Sequence, residues 1–381
     1  MTTTPDVVVI GGGAIGLSIA WRSAAAGLRV TVVDDHHPAR ASSAAAGLIA
    51  PVSEAHYGEE ALLDLNLLSA RRYPEWVEEL EEASGLVTGY TPCGTLVVAL
   101  DGDDKEQIDH LHNFQIELGL PVQRLRGKEC RELEPGLTPT VRAGLFMEGD
   151  HQIDNRKLVD ALETACTRSG VEFVYANVSS LTVQGERITG VGLASGDPIA
   201  SNKVVLAAGC WSGAVDGVPS SVTDGVRPVK GQLLYITGRP GQPPLAQRNV
   251  RTMDVYVVAR GDGRSVIGAT VEELGFDTTV TAGGVHSLLR DAVRVLPDVA
   301  EHEMTECVAG LRPGSRDNCP LLGPAEPAGL VVATGHYRNG ILLTPATGDL
   351  IAELLVTGET PPAIQPFSPT RFASAGAGAA R

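Results

Sequence analysis

Residues 7–16 read VVVIGGGAIG. Four apolar, mostly β-branched residues (Val7, Val8, Val9, Ile10) run into Gly11, Gly13 and Gly16, and the alanine-rich stretch AIGLSIAWRSAAAG follows. This is the pattern of a short buried strand, a tight glycine turn and a helix. In a G-x-G-x-x-G turn the first glycine lets the chain reverse sharply. The second lets a pyrophosphate come close, and the third lets helix and strand pack together. The helix N-terminus then turns N–H groups and a positive dipole end toward the phosphates. A second strand, Val30–Val33, ends in Asp34, 18 residues after Gly16, where an acid suits an adenosine ribose hydroxyl. The pattern is read as a dinucleotide-binding βαβ unit. The alternative is a plain βαβ unit whose glycines serve packing alone.

The rest of the chain sets bounds on that reading. At 381 residues it is long enough for two domains and a large core. A net charge of −16 argues against a nucleic-acid groove, which needs a basic patch. No apolar run approaches the roughly 18 residues that span a bilayer. The apolar start at Val7 has neither a basic flank nor a cleavage site. Six scattered cysteines (Cys93, Cys130, Cys166, Cys210, Cys307, Cys319), with no C-x-x-C pair, argue against structural zinc and for a reduced, cytoplasmic protein. No metal site is expected; the His36–His37 pair reads as a solvated loop.

Along the chain, helical spacing covers about 58–84 and 103–118, and strand character covers 90–100. A further helix is expected with Asp154 as its N-cap. VEFVY, the hairpin-like SLTVQGERITGVGLASGDPI and KVVLAAGCWSG follow. Residues 227–236 and 251–271 alternate in a β pattern. The last third holds LRPGSRDNCPLLG, the strand GLVVATG and a helix over about 342–355. SAGAGAAR closes the chain as a flexible tail. No long linker separates two sequential halves, so the domains are read as discontinuous.

Three further stretches carry chemistry. KVVLAAGCWSG ends a strand in Ala207, Ala208 and Gly209, small enough to pass beside a dinucleotide; an ordinary buried strand is the alternative. GHYRNGILLTPATG places His336, Tyr337, Arg338, Asn339, Gly340, Ile341 and Leu342 between a strand and a helix, where N–H groups face a ligand; a polar capping loop is the alternative. GLRPGSRDNCP holds Arg312, the residue type suited to bidentate grip on a carboxylate, although an arginine among Pro and Gly is more often a surface turn. No H-E-x-x-H, G-x-S-x-G or P-loop pattern occurs.

VVVIGGGAIG, SSAAAGLIAP, RPVKGQLL, AGLRPGSRD and TGHYRNGILLTPATG, in this order and spacing, resemble the D-amino-acid oxidase-like flavoenzymes, and within them the glycine oxidases of bacterial thiamine biosynthesis. The resemblance covers nearly the whole chain. It implies an α/β fold: a Rossmann-like FAD-binding domain from 1–88, 143–225 and 308–368, and a mixed-sheet substrate domain from 89–142 and 226–307, with 369–381 as the tail. It implies noncovalent FAD along Gly11, Gly13, Ala14, Ile15, Gly16, Asp34, Asp35, Ala41, Ser42, Ala46, Gly47, Leu48, Val178, Gly209 and the 336–342 loop. Arg312 and Tyr256 match the residues that hold the substrate carboxylate, and Arg338 matches a second substrate-contacting arginine. Val271 stands where a methionine is usual and Asp254 where a histidine is, which puts strict glycine preference in question.

The activity so implied is oxidative deamination of a small amino acid with dioxygen, by hydride loss from the α-carbon to the flavin. No residue is singled out as a catalytic base. A homotetramer and a thiazole synthase partner are also implied. The alternatives are a sarcosine or D-amino-acid oxidase, a flavin dehydrogenase and, from a different class, a dinucleotide-binding sensor.

Overall fold

A computed structural model describes residues 4–372. Its first sheet has six strands, in the order Leu321–Ala325, Leu330–Thr334, Val204–Leu206, Val7–Ile10, Val30–Val33, Glu172–Val174. Neighbours are parallel except the antiparallel edge pair 321–325/330–334. The strand read first in the sequence is thus near the centre, and all four of its residues are buried. Successive side chains alternate between faces. Val7 and Val9 pack with Leu17, Trp21, Trp76 and Leu158 of the helices Ala14–Ala25, Glu60–Ser84 and Asn155–Arg168. Val8 and Ile10 pack the other way, against Val178, Leu181, Ile188 and Val191 of a small antiparallel sheet. Burial on both faces explains why this strand reads as a continuous apolar run.

The second sheet has eight strands, in the order Glu303–Ser315, Val226–Thr237, Arg264–Gly268, Tyr256–Ala259, Asn249–Arg251, Thr95–Ala99, Ala143–Met147, Gln123–Arg126. It is mixed: 249–251 and 95–99 run parallel, the rest antiparallel. Leu234, Ile236, Val257 and Ile267 face the helix Ala282–Val295 through Leu288, Ala292 and Val295. Leu233, Tyr235, Val258 and Val266 face the first domain, against Ala46. The domains are tied by buried polar contacts. Arg260 donates to Gln152 Oε1 at 2.8 Å, to the Ile153 carbonyl at 2.8 Å and to the Ala46 carbonyl at 2.6 Å. Arg264 pairs with Asp154 at 2.6 Å.

Asp154 is the expected N-cap, accepting from the N–H groups of Arg156 and Lys157. The 58–84 and 103–118 readings become helices Glu60–Ser84 and Gly102–Glu117. Strand 90–100 shortens to Thr95–Ala99. Two of the expected domain limits are corrected. Residues 143–147 and 308–315, assigned by sequence to the FAD domain, pair within the eight-stranded sheet. Pro313 sits in that sheet's edge strand, where a missing N–H is tolerated, so Arg312 belongs to a strand and not to a turn. At the end of the chain, Pro369–Phe372 forms a 3₁₀ turn with Pro369 buried, so the tail does not begin at 369; SAGAGAAR lies outside the described residues. No helix among the described residues is long and apolar enough to cross a membrane.

Candidate active site

A cavity of about 460 Å³ runs between the two sheets. Every residue singled out as a candidate borders it except Gly16. Gly16 faces the strand instead. A Cβ there would run into the Gly11 carbonyl oxygen, so this glycine serves helix packing and not ligand contact.

One end of the cavity is a cradle for anionic groups. Gly11 has φ +107°, and a Cβ would lie 2.5 Å from the Ala207 carbonyl oxygen. Gly13 precedes helix Ala14–Ala25 and supplies no side-chain cap. A Cβ on Gly13 would meet only the Ser42 Oγ, at 3.5 Å. That hydroxyl is buried and has no hydrogen-bond partner. Asn155 holds its turn in place by donating to the Ser42 carbonyl at 2.8 Å. Asp34 accepts from the Gly12 N–H at 2.9 Å, from the His36 N–H at 3.1 Å and from Arg40 at 3.2 Å. A carboxylate has about four lone-pair sites, so Asp34 keeps capacity for a ribose hydroxyl.

The middle of the cavity is bordered by 336–342. The long helix Glu60–Ser84 fixes this loop: Tyr73 donates to the Ile341 carbonyl at 2.9 Å and Ser69 to the Leu342 carbonyl at 2.6 Å. The following helix, Thr344–Thr357, has no side-chain cap. His336 is buried with Nε2 3.1 Å from Thr347 Oγ1, and burial pushes its pKa down to about 3. It is a neutral ring near pH 7.

The far end gathers the proposed substrate contacts. Arg312 pairs with Val229 across the 226–237 strand, and its guanidinium lies over Gly231, where any Cβ would overlap it. Its Nη1 donates to the Thr270 carbonyl at 3.2 Å. Tyr256 pairs with Gly268, and its ring uses that glycine's missing side chain: a Cβ there would stand 2.5 Å from the hydroxyl. Burial raises the Tyr256 phenol above its usual value, opposed by the charge on Arg312. Arg338 is 3.8 Å from Glu59. Asp254 is exposed at the rim, and Val271 is 65% exposed there too. Val271 is therefore not the buried wall that a methionine-to-valine exchange implies.

The sequence reading missed several residues of this site. Glu54 and Arg251 border the cavity as an ion pair at 2.7 Å. Burial acts to raise the Glu54 carboxyl, but Arg251 and Arg338 outweigh it and hold it below its usual range. His37 and Arg40 also border the cavity. Nothing in the local spacing of these residues marks them; only the tertiary pairing does.

A family model described as FAD dependent oxidoreductase matches residues 6–354. The chain is 36% identical to the Bifunctional protein ThiO/ThiG of Trichormus variabilis over 97% of its own length, and it spans only 55% of that relative. It is 34% identical to the glycine oxidase of Geobacillus kaustophilus, covering 97% of this chain and 98% of that one. The crystal structure of glycine oxidase from the same organism superposes with a TM-score of 0.88, covering 97% of this chain and 99% of the other. A further relative, 32% identical over 98% of this chain and 97% of its own, is the hydrogen cyanide synthase subunit HcnC of Pseudomonas aeruginosa.

The residues present fit FAD. The unpartnered Ser42 hydroxyl and the uncapped helix after Gly13 offer donors to a pyrophosphate. Gly11 leaves no room for a side chain, and the Asp34 carboxylate borders the same cavity.

Proposed function

We propose that this chain, which belongs to the FAD dependent oxidoreductase family, oxidises glycine and other small amino acids: glycine, dioxygen and water give glyoxylate, ammonia and hydrogen peroxide. The observation that carries this reading is that Arg312 and Tyr256, close enough to feel each other's charge, line the same cavity as Gly11, Gly13 and Ser42. When bound, FAD supplies the electron acceptor for a hydride from the α-carbon.

The chain's own residues bind and orient. Arg312 has donors beyond the one spent on Thr270, enough for a bidentate grip on a carboxylate. Tyr256 adds a hydroxyl beside it. Two fixed carboxylate contacts restrict how the α-carbon can lie, which is where orientation lowers a barrier. Glu54 is a weak base, because Arg251 and Arg338 stabilise its anion. The substrate amine therefore sheds its proton to solvent rather than to a dedicated base. Cys210 borders the cavity, and burial pushes its thiol up to about 12, which makes it a poor nucleophile; the flavin is proposed to be held noncovalently.

The setting proposed is the cytoplasm, with the oxidised product passing to a thiazole synthase in thiamine synthesis and a homotetramer as the assembly. The thiazole synthase partner is supported by a relative whose name joins ThiO to ThiG.

Hydrogen peroxide release and oxygen uptake are measured on yellow, purified protein with glycine, sarcosine, D-alanine and bulky D-amino acids. Turnover is expected for the small substrates. Preference for bulky D-amino acids overturns the substrate reading. Anaerobic bleaching of the flavin by glycine with slow reoxidation by dioxygen makes the protein a dehydrogenase. Flavin that stays in the acid precipitate refutes noncovalent binding.

A further inference from the structure

Residues 269–281 join strand Arg264–Gly268 to helix Ala282–Val295 and carry Thr270, which anchors Arg312, and Val271 at the cavity rim. The segment is mostly exposed and has no strand or helix of its own. A buried lysine holds it. Lys230, on strand Val226–Thr237, has a side chain with no exposed surface. Its Nζ lies 2.7 Å from Asp277 Oδ2 and 3.1 Å from Glu272 Oε2. Its backbone exchanges two hydrogen bonds with Glu272, at 2.9 and 3.0 Å. Glu272 in turn accepts from Thr270 Oγ1 at 2.6 Å and from Gln232 at 2.7 Å.

The same strand therefore supports Arg312 in two ways. Across the ladder it pairs Val229 with Arg312 and Lys230 with Leu311. Through Lys230 it grips the segment whose Thr270 carbonyl receives the Arg312 donor. A lysine charge out of water is costly unless paired, and here two carboxylates from one segment pair with it. A charge clamp of this kind fixes the segment's distance from the strand, which apolar contact alone does less sharply.

We propose that Lys230 is a positioning residue for Arg312: it clamps 270–277 so that the Thr270 carbonyl holds the guanidinium where a substrate carboxylate meets it. This rests on reading Arg312 as the carboxylate anchor.

The test compares Lys230→Met, Lys230→Arg and Arg312→Ala, and the double variant Lys230→Met/Arg312→Ala, all as FAD-loaded enzyme. Lys230→Met should raise the KM for glycine and the Kd for acetate, read from the flavin absorbance, by about tenfold, the scale of losing an orienting partner. Its kcat should fall by less than about threefold, as a loss of uniform carboxylate binding requires. Lys230→Arg should recover most of the affinity. Added to Arg312→Ala, Lys230→Met should change KM by less than about twofold, because residues acting through one contact are not additive. A KM for Lys230→Met within about twofold of wild type overturns the proposal, as does an equal loss in the Arg312→Ala background. Should Lys230→Met fail to fold, Asp277→Asn and Glu272→Gln decide: each should raise KM in the same direction, and unchanged values in both overturn the proposal. An Arg312→Ala enzyme with wild-type KM overturns the carboxylate reading itself, and this inference with it; a normal Lys230→Met beside a crippled Arg312→Ala overturns only the role of Lys230.

Discussion

Gly231→Ala tests the site through a residue with no chemistry of its own. Gly231 lies in strand Val226–Thr237 outside the left-handed region, so alanine suits its backbone. The three atoms nearest the added methyl all belong to the Arg312 guanidinium: Nη1, Cζ and Nη2. All three are well inside contact distance, and carbon contacts relax to about 3.5 Å or more, so the guanidinium must retreat by more than about 1 Å. It is the free end of a long side chain, so the fold gives way cheaply there. Replacing glycine by alanine at a compatible site itself contributes about 0.4–1 kcal/mol through the unfolded chain. Stability and FAD content are therefore expected to hold.

Catalysis should not hold. A misplacement of about 1 Å in a substrate-positioning group costs on the order of 10²-fold, near 2.7 kcal/mol at about 1.36 kcal/mol per decade. The assay is kcat/KM for glycine beside the melting temperature and the flavin spectrum. Gly261→Ala is the control, since nothing lies within 4 Å of its added methyl. A folded, yellow Gly231→Ala enzyme with wild-type kcat/KM would show that the substrate carboxylate is not held by Arg312 in this position.

Tyr256→Phe should raise KM by about tenfold with a smaller effect on kcat, because the carboxylate carries the same charge in the ground and transition states; a fall in kcat at constant KM would place the hydroxyl in the chemical step. Val271→Met should shift preference from D-alanine toward glycine by only about two- to threefold, since a side chain 65% exposed realises about a third of the usual 0.8 kcal/mol per methylene; no shift, or a much larger one, contradicts that placement. His336 bears on acid stability. Its folded pKa is lowered from 6.5 to about 3, so the folded state binds fewer protons and stability falls as pH drops below 6.5. At pH 5 the penalty is about 2 kcal/mol. The melting temperature of His336→Gln should fall less steeply between pH 7 and 5 than that of the wild type, and equal slopes would refute the assignment.

The parts of this fold that were legible share a cause. VVVIGGGAIG could be read because strand, turn and helix are contiguous and each obeys a local rule. Asp154 was legible as a cap for the same reason. The domain limits were less so. Strand Ala143–Met147 pairs with Thr95–Ala99, and Glu303–Ser315 pairs with Val226–Thr237. Sheet membership is decided by those distant partners. The proline in LRPGSRD looked like a turn because its own sequence cannot show that its hydrogen-less nitrogen sits in the edge strand of a sheet, where no donor is needed.

The site divides in the same way. Residues carried by a local sequence pattern or matched through the family resemblance line the cavity, Gly16 apart, while Glu54 and Arg251 lay outside both. Each is an ordinary charged residue until the other, 197 positions away, neutralises it. The glycines show the deeper difficulty. Gly231 and Gly268 sit in strands, where glycine is unfavourable, and the local reading has only a bulge or a close backbone approach to offer. Their real service is to leave volume, one for the Arg312 guanidinium and one for the Leu233 side chain and the Tyr256 ring. A missing side chain carries no chemical signature of what fills its place. Such positions become visible only when the strands are paired, and the two beneath Arg312 and Tyr256 then mark the proposed carboxylate site as directly as the charged residues do.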